Sequence, residues 1–206
     1  ATVLFDTVDR EVADVFYENL AFCLNGRKLD YIVVHHMEPD HSATLATVLD
    51  ANSDAKIILN AKTLQFISQF FPDKDYSART VVVKDGDEME LGSHKFKFIF
   101  APMVHWPEVM MSFDETEGTL FSADAFGSYG ATNGSIFADG KDFEADLLNE
   151  ARRYYTNIVG KYGMQTTAVL NKTAALDIKM ICPLHSYVWR KDLDKIINCY
   201  KTWGSY

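Results

Sequence analysis

Residues Tyr31 to Val34, "YIVV", form an unbroken apolar run that stops at a dense group of titratable side chains, "HHMEPDHSA". A short strand without polar alternation suits a sheet covered on both faces, which in practice means parallel strands flanked by helices. The flanking segments repeat that rhythm. "ATVLFDTVD" alternates like a strand, and "REVADVFYENLAFCLNG" has helical spacing with a closing Gly26. "DHSATLATVLDAN" reads as a helix, "AKIILN" as a strand and "AKTLQFISQFF" as a helix ended by Pro72. From Arg79 the pattern changes to hairpins, across "TVVVKDGDEMELGSHKFKFIFAP" and "VMMSFDETEGTLFSAD". Helices return in "DFEADLLNEARRYYTNIVGKYG" and "MQTTAVLNKTAALD", followed by a strand "IKMICPLH" and a last helix "RKDLDKIINCYKTWGS". The expectation is one mixed α/β domain over residues 1–206, with helices on the faces of its sheets.

Composition narrows the function classes. The net charge of -9 argues against the basic face that nucleic-acid binding needs. No apolar run is long enough to cross a bilayer, and the opening residues lack a secretory pattern, so a cytoplasmic protein is expected. The three cysteines, Cys23, Cys182 and Cys199, have no CxxC spacing and read as small buried hydrophobes.

The chemistry sits at strand ends. His36, Glu38 and Asp40 are spaced by two, so on extended chain all three point the same way. Pro39 keeps Glu38 out of the helical region, and Asp40 or Ser42 is placed to cap the helix that follows. Alone, Asp40 would read as a cap and His36 as a structural histidine. Together they are two carboxylates whose burial without a cation would carry a heavy desolvation cost. Three further residues end largely apolar strands: His105 after "FKFIFAPMV", Asp124 in "TLFSADAF" and His185 after "IKMICPL". Open α/β sheets collect their sites at such ends. Six ligands of this kind suit two metals sharing one bridging carboxylate, and imidazole with oxygen donors accommodates iron, zinc or manganese. His35 falls on the opposite side of the strand from His36 and reads as a packed or supporting histidine, while His94 reads as solvent-facing. Trp106, Phe126 and Tyr129 flank ligands as candidate walls of a small dry pocket. "GSYGATNG" lacks nucleotide-loop spacing and reads as a turn around the site.

The HxExDH motif, with His105, Asp124 and His185 following in that order, resembles the metallo-β-lactamase-like domain of flavodiiron proteins. "HWPEVMMSFD", "LFSADAFGSYGA" and "ARRYYTNIVGKYG" extend the resemblance over essentially the whole chain. It implies an αββα sandwich holding a non-haem pair of irons. One iron would take His36, Glu38 and His105, and the other Asp40 and His185, with Asp124 bridging. His41 matches a position that ligates the second iron in some members and swings away in others. Zinc hydrolases of the same fold carry HxHxDH. Glu38 in place of the second His adds negative charge and a harder donor, which stabilises the higher oxidation states a redox iron needs.

The resemblance implies reduction of O₂ to water, of NO to N₂O, or of both. Its electrons would come from FMN on a flavodoxin-like domain of a neighbouring subunit in a head-to-tail dimer, supplied in turn by rubredoxin or a reductase. Against the family pattern, the chain opens where the first strands would already be complete, so opening strands are expected to be missing. It stops where the FMN domain would begin. Ser186 and Tyr187 replace a usual Gly-Pro after the last ligand, and Ala43 replaces a common Gly. The bulkier Ser186–Tyr187 pair is expected to narrow the pocket or bring a hydroxyl to the second position. Two alternatives follow from other classes: a stand-alone diiron protein that senses O₂, and a dinuclear zinc hydrolase, against which Glu38 counts.

Overall fold

The computed structural model describes residues 1–206 apart from Asn133. Two sheets lie back to back. The first holds β1 (Val3–Phe5), β2 (Tyr31–Val33), β3 (Lys56–Asn60) and β4 (Thr80–Val83), all parallel and in chain order. The second holds β5 (Glu88–Leu91), β6 (His94–Phe100), β7 (Met110–Asp114), β8 (Thr119–Phe121) and β9 (Met180–Cys182). Its first four strands are antiparallel, and β8 pairs with β9 in parallel. Between the strands of the first sheet run α1 (Ala13–Leu24), the single-turn α2 (Pro39–Ser42), α3 (Leu45–Ala51) and α4 (Ala61–Phe70). α5 (Leu148–Ile158) and α6 (Gly163–Thr173) precede β9, and α7 (Leu193–Trp203) follows it.

β3 shows why the layers stack this way. Ile57 and Leu59 pack on the helix side with Leu45, Leu49 and Ile67. Ile58 points the other way and meets Val33, Phe98 and Met110 between the sheets. On the far side of the second sheet, Ile99, Met111, Leu120 and Ile181 pack with Ala151, Tyr155, Ile196 and Tyr200. The result is an αββα sandwich, as expected. Ile32, Ile57, Ile58 and Leu59 are fully buried, and each such side chain contributes about 2 kcal/mol of burial. A register slip of one residue would exchange the two faces, so this packing also fixes where β2 ends and the histidines begin.

Several local expectations differ. "TVVV" is not half of a hairpin: β4 pairs in parallel with β3, and the chain crosses to the second sheet through a turn at Gly86, whose φ is 86°. The first true hairpin is β5–β6. The helix expected over "DHSATLATVLDAN" is split into α2 and α3, and a π-helical turn at Phe143–Leu147 leads into α5. β1 is an edge strand of the first sheet. Cys23 is exposed rather than buried, because α1 packs through Phe16, Tyr17, Leu20 and Leu24, while Cys182 and Cys199 are partly buried. The segment "GSYGATNG" is irregular chain, and its Asn133 lies outside the described residues. No helix among the described residues is long and apolar enough to cross a membrane.

Candidate metal centre

The parallel strand β2 delivers the opening motif. Its ladder runs on past Val33, since the Val34 amide still donates to the Ile58 carbonyl at 2.9 Å. Glu38 is extended (φ -59°, ψ 141°) and Pro39 begins α2, so Asp40 and His41 project from a helical turn. The period-two reading therefore holds only as far as Glu38. Convergence of Asp40 comes from the helix, where Pro39 at the first position is favoured because its missing N–H has no role there. Neither Asp40 nor Ser42 caps α2. The Ser42 hydroxyl instead donates to the carbonyls of Met37 and Glu38, at 2.8 and 3.0 Å, closing the turn from inside.

All six expected ligands and His41 come together, in two adjoining groups. His36, Glu38, His105 and Asp124 form one, and Asp40, His41 and His185 the other, with the donor atoms of each within 4.8 Å of one another. Glu38 Oε2 lies 3.2 Å from His36 Nε2 and 3.0 Å from His105 Nε2. Asp124 spans both groups: its Oδ2 is 3.0 Å from His105 Nε2, while its Oδ1 is 3.3 Å from His41 Nε2 and 3.8 Å from His185 Nε2. Asp40 Oδ2 faces His41 at 3.2 Å and His185 at 3.4 Å. His41 thus stands inside the second group.

The donor set fits a pair of cations. His41 and His185 bring their Nε2 atoms to 3.0 Å of each other with Asp40 Oδ2 beside both, so three donor atoms of the second group crowd together. Asp40 Oδ1 and Asp124 Oδ1 are buried without a hydrogen-bond partner among the described residues. The proton equilibria say the same. Burial disfavours charge on His36, yet the Glu108 and Glu38 carboxylates prevail and lift its pKa from 6.5 to about 10. His105, also opposed by burial, is raised to about 9 by Asp124 and Glu38. His105 and His36 lower Glu38 to about 2. Burial pushes Asp124 up, but His105 and His41 hold it well below the usual carboxylate range. In the metal-free chain, protons on His36 and His105 offset the carboxylates of the first group, while burial holds His185 below the ordinary imidazole value.

The loops carrying these ligands are held in costly conformations. Met103, Ala123, Phe126 and Ser186 all have left-handed φ, between 51° and 70°, beside His105, Asp124 and His185. For residues with a Cβ this costs about 1 kcal/mol or more each, and such costs concentrate at functional sites. Ser186 adopts the backbone that glycine takes freely, with its Oγ buried and without a hydrogen-bond partner among the described residues.

The supporting residues were harder to foresee. Glu108, buried, takes the Nδ1–H of His36 at 2.8 Å and the amide of Met37 at 2.9 Å. The Asn60 side chain caps α4 and also donates to the Glu108 carbonyl. Asp6 Oδ1 accepts the amides of His35 and His36, at 2.7 and 3.3 Å. His35 is fully buried between the sheets, 2.6 Å from Asp6 Oδ2 and 2.8 Å from Ser112 Oγ. The available signal was a lone carboxylate within an apolar stretch, as in "LFDTV" and "PEVMM". Tyr154 was also missed. It is buried near His185, ring centroids 5.5 Å apart, and burial with the nearby Asp124 charge raises its pKa far above the ordinary phenol value. Trp106 packs edge-on to His36 at 5.1 Å. Phe126 lies in the core against Tyr200, and Tyr129 packs on Tyr154. The Tyr187 hydroxyl donates to the Ala131 carbonyl at 2.7 Å, so it is not offered to the second group as expected. His94 is partly exposed and paired with Asp114 at 2.6 Å.

Comparison with known proteins places this geometry. Residues 1–186 match the family model described as ODP family beta lactamase. The chain is 32% identical to the anaerobic nitric oxide reductase flavorubredoxin of Vibrio vulnificus, over 99% of this chain and 41% of that protein. It is 31% identical to the nitric oxide reductase of Moorella thermoacetica, over 98% of this chain and 50% of that protein. The chain thus spans about half the length of these relatives or less. Among solved structures, rubredoxin oxygen:oxidoreductase from Desulfovibrio gigas superposes with a TM-score of 0.91 at 30% identity, covering 98% of this chain and 51% of that one. The chain belongs to the ODP family of beta-lactamase-fold proteins and has the metallo-β-lactamase-like core of the flavodiiron proteins.

Proposed function

We propose that this chain is the diiron domain of an oxidoreductase that reduces O₂ to water, NO to N₂O, or both. The observation that carries the reading is Asp124, whose two oxygens face two different ligand groups, one of which contains Glu38 where a hydrolase would place histidine. His36, Glu38 and His105 would hold one iron and Asp40, His41 and His185 the other, with Asp124 shared. Bound iron supplies electrons and Lewis acidity to a diatomic gas. The rest is done by the chain. Asp124 fixes the separation of the two positions, so that two reacting groups meet without a separate encounter. Trp106 shields His36 and His105 from water on one side, with ring separations of 5.1 and 6.3 Å. Tyr154 keeps its proton and presents a neutral O–H beside Asp124 and His185, able to donate a hydrogen bond to an anionic product.

Electrons would arrive from FMN on a flavodoxin-like domain, in a head-to-tail dimer, and be replenished by rubredoxin or a reductase. The names of the relatives support that supply without identifying its carrier for this chain. The test is anaerobic loading with Fe²⁺, followed by reduced FMN with O₂ or NO in separate runs. Consumption of either gas above the free-flavin rate, with N₂O as the NO product, is expected. Retention of zinc with thioester hydrolysis and no gas consumption would overturn the reading.

A further inference from the structure

The two ligand groups are not equivalent behind the metals. All four imidazoles, those of His36, His105, His41 and His185, present Nε2 to the cluster. Among the described residues, only His36 has its outer nitrogen on a carboxylate, Glu108. Glu108 is buried, and no Lys or Arg lies within ion-pair reach of it. Its Oε1 serves both His36 and the Met37 amide, and its Oε2 has no partner. A buried carboxylate with no cationic side chain beyond one histidine is costly unless positive charge lies close by. The nearest place for such charge is the far side of the His36 ring.

We infer that Glu108 is a positioning residue that makes the two metal positions unequal. Through its hydrogen bond it fixes the His36 tautomer and gives that imidazole anionic character, so the position of His36, Glu38 and His105 binds a cation first and more tightly. Two charges then act there, Glu38 directly and Glu108 through the ring. The position of Asp40, His41 and His185 has one carboxylate of its own and none behind its imidazoles. Asp124 is common to both and cancels from the comparison. The same imbalance favours the more highly charged ion at the first position when the pair is half oxidised. The inference rests on the metal-centre reading above, and its test separates the two.

The experiment is a Zn²⁺ titration of the metal-free chain, followed by calorimetry and by ¹⁵N NMR of the imidazoles, with zinc as a diamagnetic probe. The expected result is stepwise filling, with His36 and His105 resonances moving in the first step and His41 and His185 in the second. Glu108→Gln keeps the shape and one acceptor but removes the charge. It should lower the first-step affinity about 10- to 100-fold while leaving the second step nearly unchanged. A merely structural role would weaken both steps alike. Simultaneous filling of both positions in the unaltered chain would overturn the inference even if the variant failed to fold, as would an equal loss at both positions in Glu108→Gln. Uptake of no zinc at all would instead overturn the metal-centre reading itself.

Discussion

The two halves of the ligand cluster reach similar chemistry by different structural routes. His36 is fully buried at the end of a parallel strand, with its outer nitrogen on a buried carboxylate. Asp40 and His185, by contrast, are about one-third or more exposed, on a single helical turn and an irregular loop respectively. His36 is fixed by the sheet and its hydrogen bonds, while Asp40 and His185 are open to solvent; Glu38 of the first half is as exposed as His185, and His41 of the second is buried. This teaches where rigidity and access are divided in the site. Anchoring is greatest at His36, and exposure is greatest at Asp40.

The strongest way to break the comparison is to remove what the halves share. Asp124→Ala should abolish paired metal binding, lowering retention about 100-fold or more at both positions, read by metal analysis after gel filtration. Next, Glu38→His should convert the buried half toward the hydrolytic pattern. Its expected signature is a preference for zinc over iron and loss of O₂ and NO consumption, read in competition loading.

A third test uses pH. His36 and His105 are raised from 6.5 to about 10 and about 9 in the metal-free chain. Their pairing therefore stabilises the metal-free fold fully below pH 6.5 and is lost as pH rises toward 9 and 10. Glu38, lowered from 4.5 to about 2, contributes above pH 4.5 and ceases to as pH falls toward 2. Metal uptake must displace the histidine protons, so affinity runs the other way and strengthens with rising pH. Melting of the metal-free chain and metal titration, each at pH 6 and pH 9, should move in opposite directions. Movement in the same direction would contradict the assignment of these histidines. The smallest effect is expected away from both halves. Ser112→Ala removes the inter-sheet partner of His35 and should cost about 1 kcal/mol of stability, read by urea unfolding, with metal content unchanged.

How much of this was legible follows from the physics of each part. The parallel strands announced themselves through "YIVV" and "KIILN", since burial on both faces leaves no polar alternation. The candidate ligands stood out because titratable groups gather where these apolar strands end. Asp40 was chosen on a spacing the fold does not keep: Pro39 begins a helical turn, and only the three-dimensional path shows that this turn brings Asp40 to His41 and His185. Glu108, Asp6 and Tyr154 were not legible. Their roles depend on contacts far apart in sequence, such as His36 with Glu108 and Tyr154 with His185. The β4–β5 crossover was misread because a four-residue apolar run fits a hairpin or a parallel edge equally well.

The central claim is that one aspartate joins two irons in this domain. Mössbauer spectroscopy of the chain loaded with ⁵⁷Fe and oxidised in air tests it most directly. The account predicts a magnetically coupled ferric pair that gives no net paramagnetism at low temperature. Uncoupled, isolated ferric ions in the unaltered chain, or a chain that accepts only a single iron, would contradict it.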